Sequence, residues 1–221
     1  SKISNDLTVS SFDFYTDIGI TNDYNFLFKN INSMSDNSIK YKNSPQSELM
    51  SAYFLNTSLP LQKITKNRKN TLTPKLKFGI SPHEMKYHAN TNRRVAIHNV
   101  FSNSRLSLGD SFETGESITL GIDFKKEKIT QISNVNEIEG VSNLKEEIVT
   151  EIEDYFDFRL ATVFRFNKEE DIPTVSTINE KTSNIFGLVG YKPTKNISLD
   201  YDFSLTNDLN IIEHQTISAG Y

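Results

Sequence analysis

The sequence predicts an all-β fold of antiparallel strands, about nine in number, each with one apolar and one polar face. Three observations carry this. From Glu116 to Lys125 the apolar side chains Ile118, Leu120, Ile122 and Phe124 alternate with Ser117, Thr119, Gly121, Asp123 and Lys125, and the same period of two returns in Thr71 to Ser81, Phe156 to Asn167 and Ile197 to Thr206. No apolar run approaches the ~20 residues that a membrane helix needs, so any crossing of a bilayer falls to strands of about 9–11 residues. Long polar connections and short turn-forming ones alternate along much of the chain, as they do in outer-membrane barrels.

The first stretch, Leu7 to Ile20, changes its apolar phase between Leu7 and Val9 on one side and Phe12, Phe14, Ile18 and Ile20 on the other. A β-bulge near Ser10 and Ser11 would absorb that slip. Thr21-Asn22-Asp23 has turn chemistry and is expected to close a hairpin onto Tyr24 to Ile31, where Tyr24, Phe26 and Phe28 share a face. Residues 32–47 read as a long polar loop. Glu48 to Lys63 sets Leu49, Tyr53, Leu55, Leu59 and Leu61 on one side, with Pro60 near its end, where a strand tolerates proline. A basic turn, Thr65 to Asn70, leads into Thr71 to Ser81, and residues 82–115 form a second long loop before the most regular strand. Residues 128–154 are an irregular insertion: Leu144, Ile148 and Ile152 recur every four residues among acidic neighbours, which fits either a short amphipathic helix or an extended hairpin. Phe156, Phe158, Leu160, Phe164 and Phe166 restore the strand period, and residues 168–183 form a third long loop. Asn184 to Tyr191 alternates weakly, turns through Lys192 to Asn196 into Ile197 to Thr206, and a last strand occupies Leu209 to Tyr221.

Composition narrows the class. At 221 residues the chain can form one large all-β domain, and its 36% hydrophobic content and mean hydropathy of -0.46 suit a barrel with wet lumen, loops and turns. A net charge of -4 without a basic stripe argues against nucleic acid as a partner. The lack of cysteine excludes disulfides and thiolate metal sites. Alternation alone fits a soluble sandwich as well as a barrel. Two features favour the membrane. The apolar faces are rich in Phe, Tyr, Leu and Ile, with Tyr155, Tyr191, Tyr201 and Tyr221 near strand ends where an interfacial girdle sits, although tryptophan is absent. The polar faces carry both signs of charge, at Lys75, Lys77, Asp123, Lys125, Asp157, Arg159, Arg165, Asp200 and Asp202, which are the candidate lumen-facing residues.

Specific words go further than the pattern. SLPLQK (Ser58 to Lys63), TLTPKLKFGISPHEMK (Thr71 to Lys86), NVFSNSRLSLGDSFETGESITLGIDFKKE (Asn99 to Glu127), FRLATVFRF (Phe158 to Phe166) and SNIFGLVGYKPTKNISLDYDFSLTNDLN (Ser183 to Asn210) resemble the barrel portion of the LptD family, the lipopolysaccharide-assembly or organic solvent tolerance (OstA) proteins. The densest match is Asn99, Phe101, Arg105, Gly109, Asp110 and Gly115, followed by Gly121 in the strand. Family members commonly have Asp-Arg where this chain has Asp110-Ser111, so no role for that second basic group is carried over.

The resemblance implies a non-enzymatic outer-membrane barrel of a Gram-negative cell. It would receive lipopolysaccharide from a periplasmic Lpt bridge protein through an N-terminal domain absent from this chain, release it laterally among membrane lipid, and be plugged by an LptE-like lipoprotein. Such a barrel has about 26 strands, which nine cannot close. Residues 1–221 are therefore expected to be a partial LptD-like barrel domain, an antiparallel transmembrane β-barrel segment that forms an open curved sheet by itself. A passive outer-membrane channel or receptor barrel, and a soluble β-sandwich adhesion module, are the alternatives.

No catalytic set, metal site or cofactor is indicated. His83 and His88 are five residues apart, so they share no helix face, and they are read as loop residues after Pro82. Arg93, Arg94 and Arg105 are candidate contacts to anionic lipopolysaccharide or for packing the loop, since guanidinium binds phosphate bidentately; solvated loop arginine is the simpler reading of each. Asp110 and Glu113 are the candidate partners of Arg105. Gly121 reads as a strand position that a neighbour approaches closely, and the acidic run 145–154 as a solvated face or a partner-binding surface.

Overall fold

A computed structural model describes residues 2–36, 43–135 and 146–221. The described residues form eleven strands: β1 (Lys2–Ser10), β2 (Phe14–Tyr15), β3 (Thr21–Ser33), β4 (Gln46–Ser58), β5 (Leu61–Thr65), β6 (Arg68–Ser81), β7 (Gly115–Val135), β8 (Glu146–Arg165), β9 (Ile185–Thr194), β10 (Ile197–Leu205) and β11 (Ile212–Gly220). All pairings are antiparallel. They make one sheet in the order β1-β3-β4-β6-β7-β8-β9-β10-β11, with β2 also on β3 and β5 also on β6. The sheet is not closed.

Eleven segments make nine rungs because two strands are interrupted. Ser10 faces Asn25 whereas Phe14 faces Asn22, so one extra residue sits between β1 and β2, and the Ser11 amide bonds the Tyr24 carbonyl at 2.9 Å. That is the bulge the phase change called for. The break between β4 and β5 keeps its register: Ser58 faces Lys75, the Leu59 amide bonds the Pro74 carbonyl at 3.1 Å, and Leu61 faces Leu72. Only Pro60, which has no amide hydrogen, interrupts it.

Three expectations are corrected. Thr21-Asn22-Asp23 is the start of β3 rather than a turn; the hairpin closes at Thr16 to Ile20, where Gly19 takes a φ of 84°. Of the two readings left open for 128–154, the described residues take the extended hairpin, not the helix, so the stretch is no irregular insertion there: Lys128 to Val135 pairs with Glu146 to Glu153; residues 136–145, with Leu144, lie outside the described residues. Pro193 and Thr194 belong to β9, which shortens the next turn to Lys195-Asn196.

Register assigns the paired residues of the wall to its two faces. Leu76, Leu120 and Phe164 point to one side with about two-fifths of their surface exposed, together with Tyr53, Tyr191, Leu199 and Ile217. Among the described residues this apolar face meets no second sheet, so the sandwich alternative does not describe them. Next to the polar face lie two of the connections, residues 82–114 and 166–184. Met85, Val95, Ile97, Val100, Leu106 and Leu108 of the first and Ile172 and Ile178 of the second are buried in one cluster with Ala161, Val163 and Phe186 of the wall. The dry core is thus loop against strand.

Candidate functional site

The polar face is where charge is buried, so it is where function is sought. β7 and β8 present Ser117 opposite Arg165 and Thr119 opposite Val163. Small hydroxyl side chains there leave room for the 82–114 loop to enter with Arg105. Its guanidinium donates from Nε to Glu113 Oε2 at 2.7 Å, from Nη1 to Thr119 Oγ1 at 3.0 Å and from Nη2 to Ser117 Oγ at 3.1 Å, and also from Nη2 to Glu113 Oε1. Arg165 donates to the same Glu113 oxygen at 2.5 Å and to the Thr114 carbonyl. One carboxylate therefore bridges two buried guanidinium groups, one from the loop and one from the wall. Burial alone would push the Glu113 carboxyl up; the charges and hydrogen bonds of Arg105, and then Arg165, outweigh it and hold the group below its ordinary value.

Around this centre the loop is tied at further points. Lys77 of β6 is buried and donates to the Phe101 carbonyl at 2.9 Å and Asn103 Oδ1 at 2.7 Å, with the Phe54 ring 4.3 Å from its ammonium. Asp110 meets not Arg105 but His88 Nε2, at 2.7 Å, which corrects the first of its two candidate partners. Asn99 accepts from the Ala96 amide at 2.9 Å and donates to the Arg94 and Arg105 carbonyls at 3.3 Å, shaping the loop's tip. Arg93 joins the loop's limbs through the Leu106 carbonyl at 2.8 Å and Ser107 carbonyl at 2.6 Å. Arg94 is exposed, and neither it nor Arg93 joins Arg105. Gly109 is exposed and its carbonyl accepts from Lys2 at 2.9 Å. Gly115 opens β7 with a φ of 79°, and a Cβ there would lie 2.8 Å from Glu169 and 3.0 Å from Arg165. The two loops also bond each other, the His88 amide to the Asp171 carbonyl at 2.9 Å.

Below the loops the same face stays wet. Asp123, Lys125, Asp157, Arg159 and Asp200 line an open cavity of about 350 Å³. Lys75 pairs with Asp123, Arg159 with Asp157, and Lys125 with Asp154 at 2.8 Å. Asp202 lies on this face opposite Leu188 and Thr216. Charges of both signs alternate here, with Tyr155 and Phe156 at the cavity's margin. His83 bonds Ser51 at 3.2 Å, apart from His88, and among the described residues no three His, Cys, Asp or Glu side chains are grouped to hold a metal.

Sequence reasoning named Arg105 and Glu113 but passed over Arg165 as their partner, His88 as the partner of Asp110, and the apolar members of the loop. Their density was a usable signal: Val95, Ile97, Val100, Phe101, Leu106 and Leu108 are too many for a solvated loop.

An open antiparallel wall, apolar on the outside and polar on a face filled by its own loops, defines a segment of a transmembrane β-barrel. The chain belongs to the LptD family: the model of LPS transport system D matches residues 4–221. The family's work is lipopolysaccharide transport. No curated protein matches the chain.

Proposed function

We propose that this chain is part of the barrel wall of the outer-membrane translocon that assembles lipopolysaccharide into the outer leaflet of a Gram-negative cell, and that it acts as a conduit without chemistry. The observation that supports this most is the split between faces. Leu120 and Phe164 offer hydrocarbon a surface of the right polarity, while Asp123, Arg159 and Asp200, further along the opposite face of the same sheet, offer water and an ionic headgroup a paired-charge surface. An amphiphile needs both environments side by side. Membrane lipid covers the outer face; an LptE-like lipoprotein occupies the lumen, and the periplasmic Lpt bridge delivers lipopolysaccharide through an N-terminal domain. The 82–114 loop, pinned by Arg105, Glu113 and Arg165, narrows the passage on the long-loop side.

A benzophenone side chain placed singly at Asp123, Asp157 or Asp200 of the full-length protein in growing cells tests this. Adducts with lipopolysaccharide are expected at these positions, and not at Leu120. Adducts at none of the three, with ion conductance of the purified barrel retained, would assign it instead to a passive channel.

A further inference from the structure

Near the rim that carries the short turns at Thr16–Ile20, Lys66-Asn67 and Lys195-Asn196, the cations of β5, β6 and β7 divide by face. On the polar face Lys69 is answered by Glu127 at 3.1 Å, Lys125 by Asp154 at 2.8 Å and Lys75 by Asp123. Lys63, Arg68, Lys126 and Lys128 take the other face, in phase with Leu72, Leu76 and Leu120. Among the described residues none of these four is paired with a carboxylate. Arg68 faces Lys128 directly across the β6–β7 pair, and Lys63 and Lys126 flank Asn70. Like charges set opposite each other destabilise a sheet, and an anion between them removes that cost. Glu153, which faces Lys128 from β8, is already held by Lys195 at 2.7 Å.

The depth of the patch suits a headgroup. On β7 the apolar face lies between two charged positions, Glu116 and Lys126, which are about 33 Å apart at strand rise and about 23 Å apart along the normal at a tilt of about 45°. An outer-membrane barrel carries an apolar band about 25 Å tall, so Lys126 falls at its boundary. There its ammonium sits 5.5 Å from the Phe124 ring and 5.4 Å from the Phe156 ring, and Tyr191, half exposed, follows Phe156 in the same row. A lysine in that position lays its stem on apolar surface and keeps its charge at the water's edge. Beside Lys128 a groove of about 370 Å³, lined also by Tyr155, Lys192 and Lys195, leaves room next to the cations.

We propose that this patch binds an anionic glycerophospholipid of the leaflet on the short-turn side. The phosphodiester lies among Arg68, Lys126 and Lys128, and the acyl chains run along Phe124, Phe156 and Tyr191. The unpaired cations border an apolar wall, which fits an amphiphile with a charged head better than an acidic protein segment. The proposal rests on the reading of this wall as the face against lipid, and adds which lipid it selects.

The test places benzophenone at Tyr191 or Leu120 of the full-length protein in phosphatidylcholine vesicles. The vesicles carry a trace of radiolabelled phosphatidylglycerol or of radiolabelled phosphatidylcholine. Tyr191 should capture phosphatidylglycerol in preference by at least about fivefold, less so as salt is raised, and Leu120 should capture both lipids alike. Arg68→Gln/Lys126→Gln/Lys128→Gln should bring the ratio at Tyr191 close to one, whereas Arg68→Lys/Lys126→Arg/Lys128→Arg should keep it. Heat-modifiable migration that matches the parent shows that the barrels of both variants have formed. Equal capture at Tyr191, or a preference that survives in the glutamine variant, would overturn the site and leave the face against lipid. A protein adduct at Tyr191 in growing cells, in place of a lipid one, would also overturn it and give the patch to an acidic partner. Capture of no lipid at either position would overturn the orientation of the wall, and the site with it.

Discussion

The Phe101 ring lies against the backbone of Gly121, so close that a Cβ at position 121 would sit 2.7 Å from two of its ring carbons and 3.0 Å from the Leu160 carbonyl oxygen. This contact joins the buried loop to the central strand of the wall, and Lys75 adds its ammonium 5.7 Å from the same ring. Gly121→Ala is expected to weaken loop docking by about 1–3 kcal/mol, the usual effect of overpacking. Phe101→Leu should recover part of that loss, since the ring is the nearest obstacle, leaving the Leu160 contact. Protease cleavage within 82–114 of the folded protein measures it; no rescue by Phe101→Leu would mean that the ring and the glycine are not coupled.

Glu113 bridges Arg105 and Arg165, so its removal strands two buried cations at once. Glu113→Ala should therefore release the loop with a loss of about 3–5 kcal/mol, whereas Asp110→Ala, which breaks the pair with the single His88 ring and the longer bond from Ser111, should lose less. Charge exchange separates the partners: Arg105→Glu with Glu113→Arg is expected to regain more protection than Arg105→Glu with Asp110→Arg. Equal recovery would show that the loop docks by a different set of contacts.

The pH dependence follows from the same carboxyl. Glu113 is held below its ordinary value of 4.5 in the docked loop, so the docked state binds fewer protons than the released one. Its contribution is complete above about 4.5 and drains away as pH falls through the lower, folded value. Amide exchange in 82–114 should accelerate on acidification in that range, and Glu113→Gln should flatten the response while raising exchange at neutral pH. An unchanged slope in Glu113→Gln would move the titration to another group.

How much of this was legible depends on whether neighbours or distant residues decide a position. The β7 alternation is local: each of Ile118, Leu120 and Ile122 is apolar because its own face needs it, so strand and facing could be read directly. The slip at Ser10 was legible for the same reason, since one inserted residue inverts every later side chain. The loop core has no period, because Val95, Ile97, Val100, Leu106 and Leu108 meet Val163 and Ile178 from irregular backbone. The choice of Glu113 over Asp110 is set by His88, which consumes Asp110, and by Arg165, 52 residues away from Glu113. The four-residue recurrence of Leu144, Ile148 and Ile152 left helix and extended hairpin both open because every fourth residue also shares a face in a strand.

The orientation of the wall can be tested at two residues on its opposite faces. Leu120, in the part of β7 paired on both sides, is exposed on the apolar face, and Thr119, its neighbour, is buried on the polar one beside Arg105. Hydrocarbon penalises a charge near the bilayer midplane by about 2–4 kcal/mol, while a wet, paired-charge surface does not. Leu120→Lys should lower the folded fraction by that amount in equilibrium unfolding from bilayers. Asp200→Lys, on the cavity side, should change it by much less, because the site is open to water and already lined with both signs of charge. The ordering matters more than either value. If Asp200→Lys proved the more damaging, the charged face would be the one against lipid, and the assignment of inside and outside would have to be reversed for every strand in the sheet.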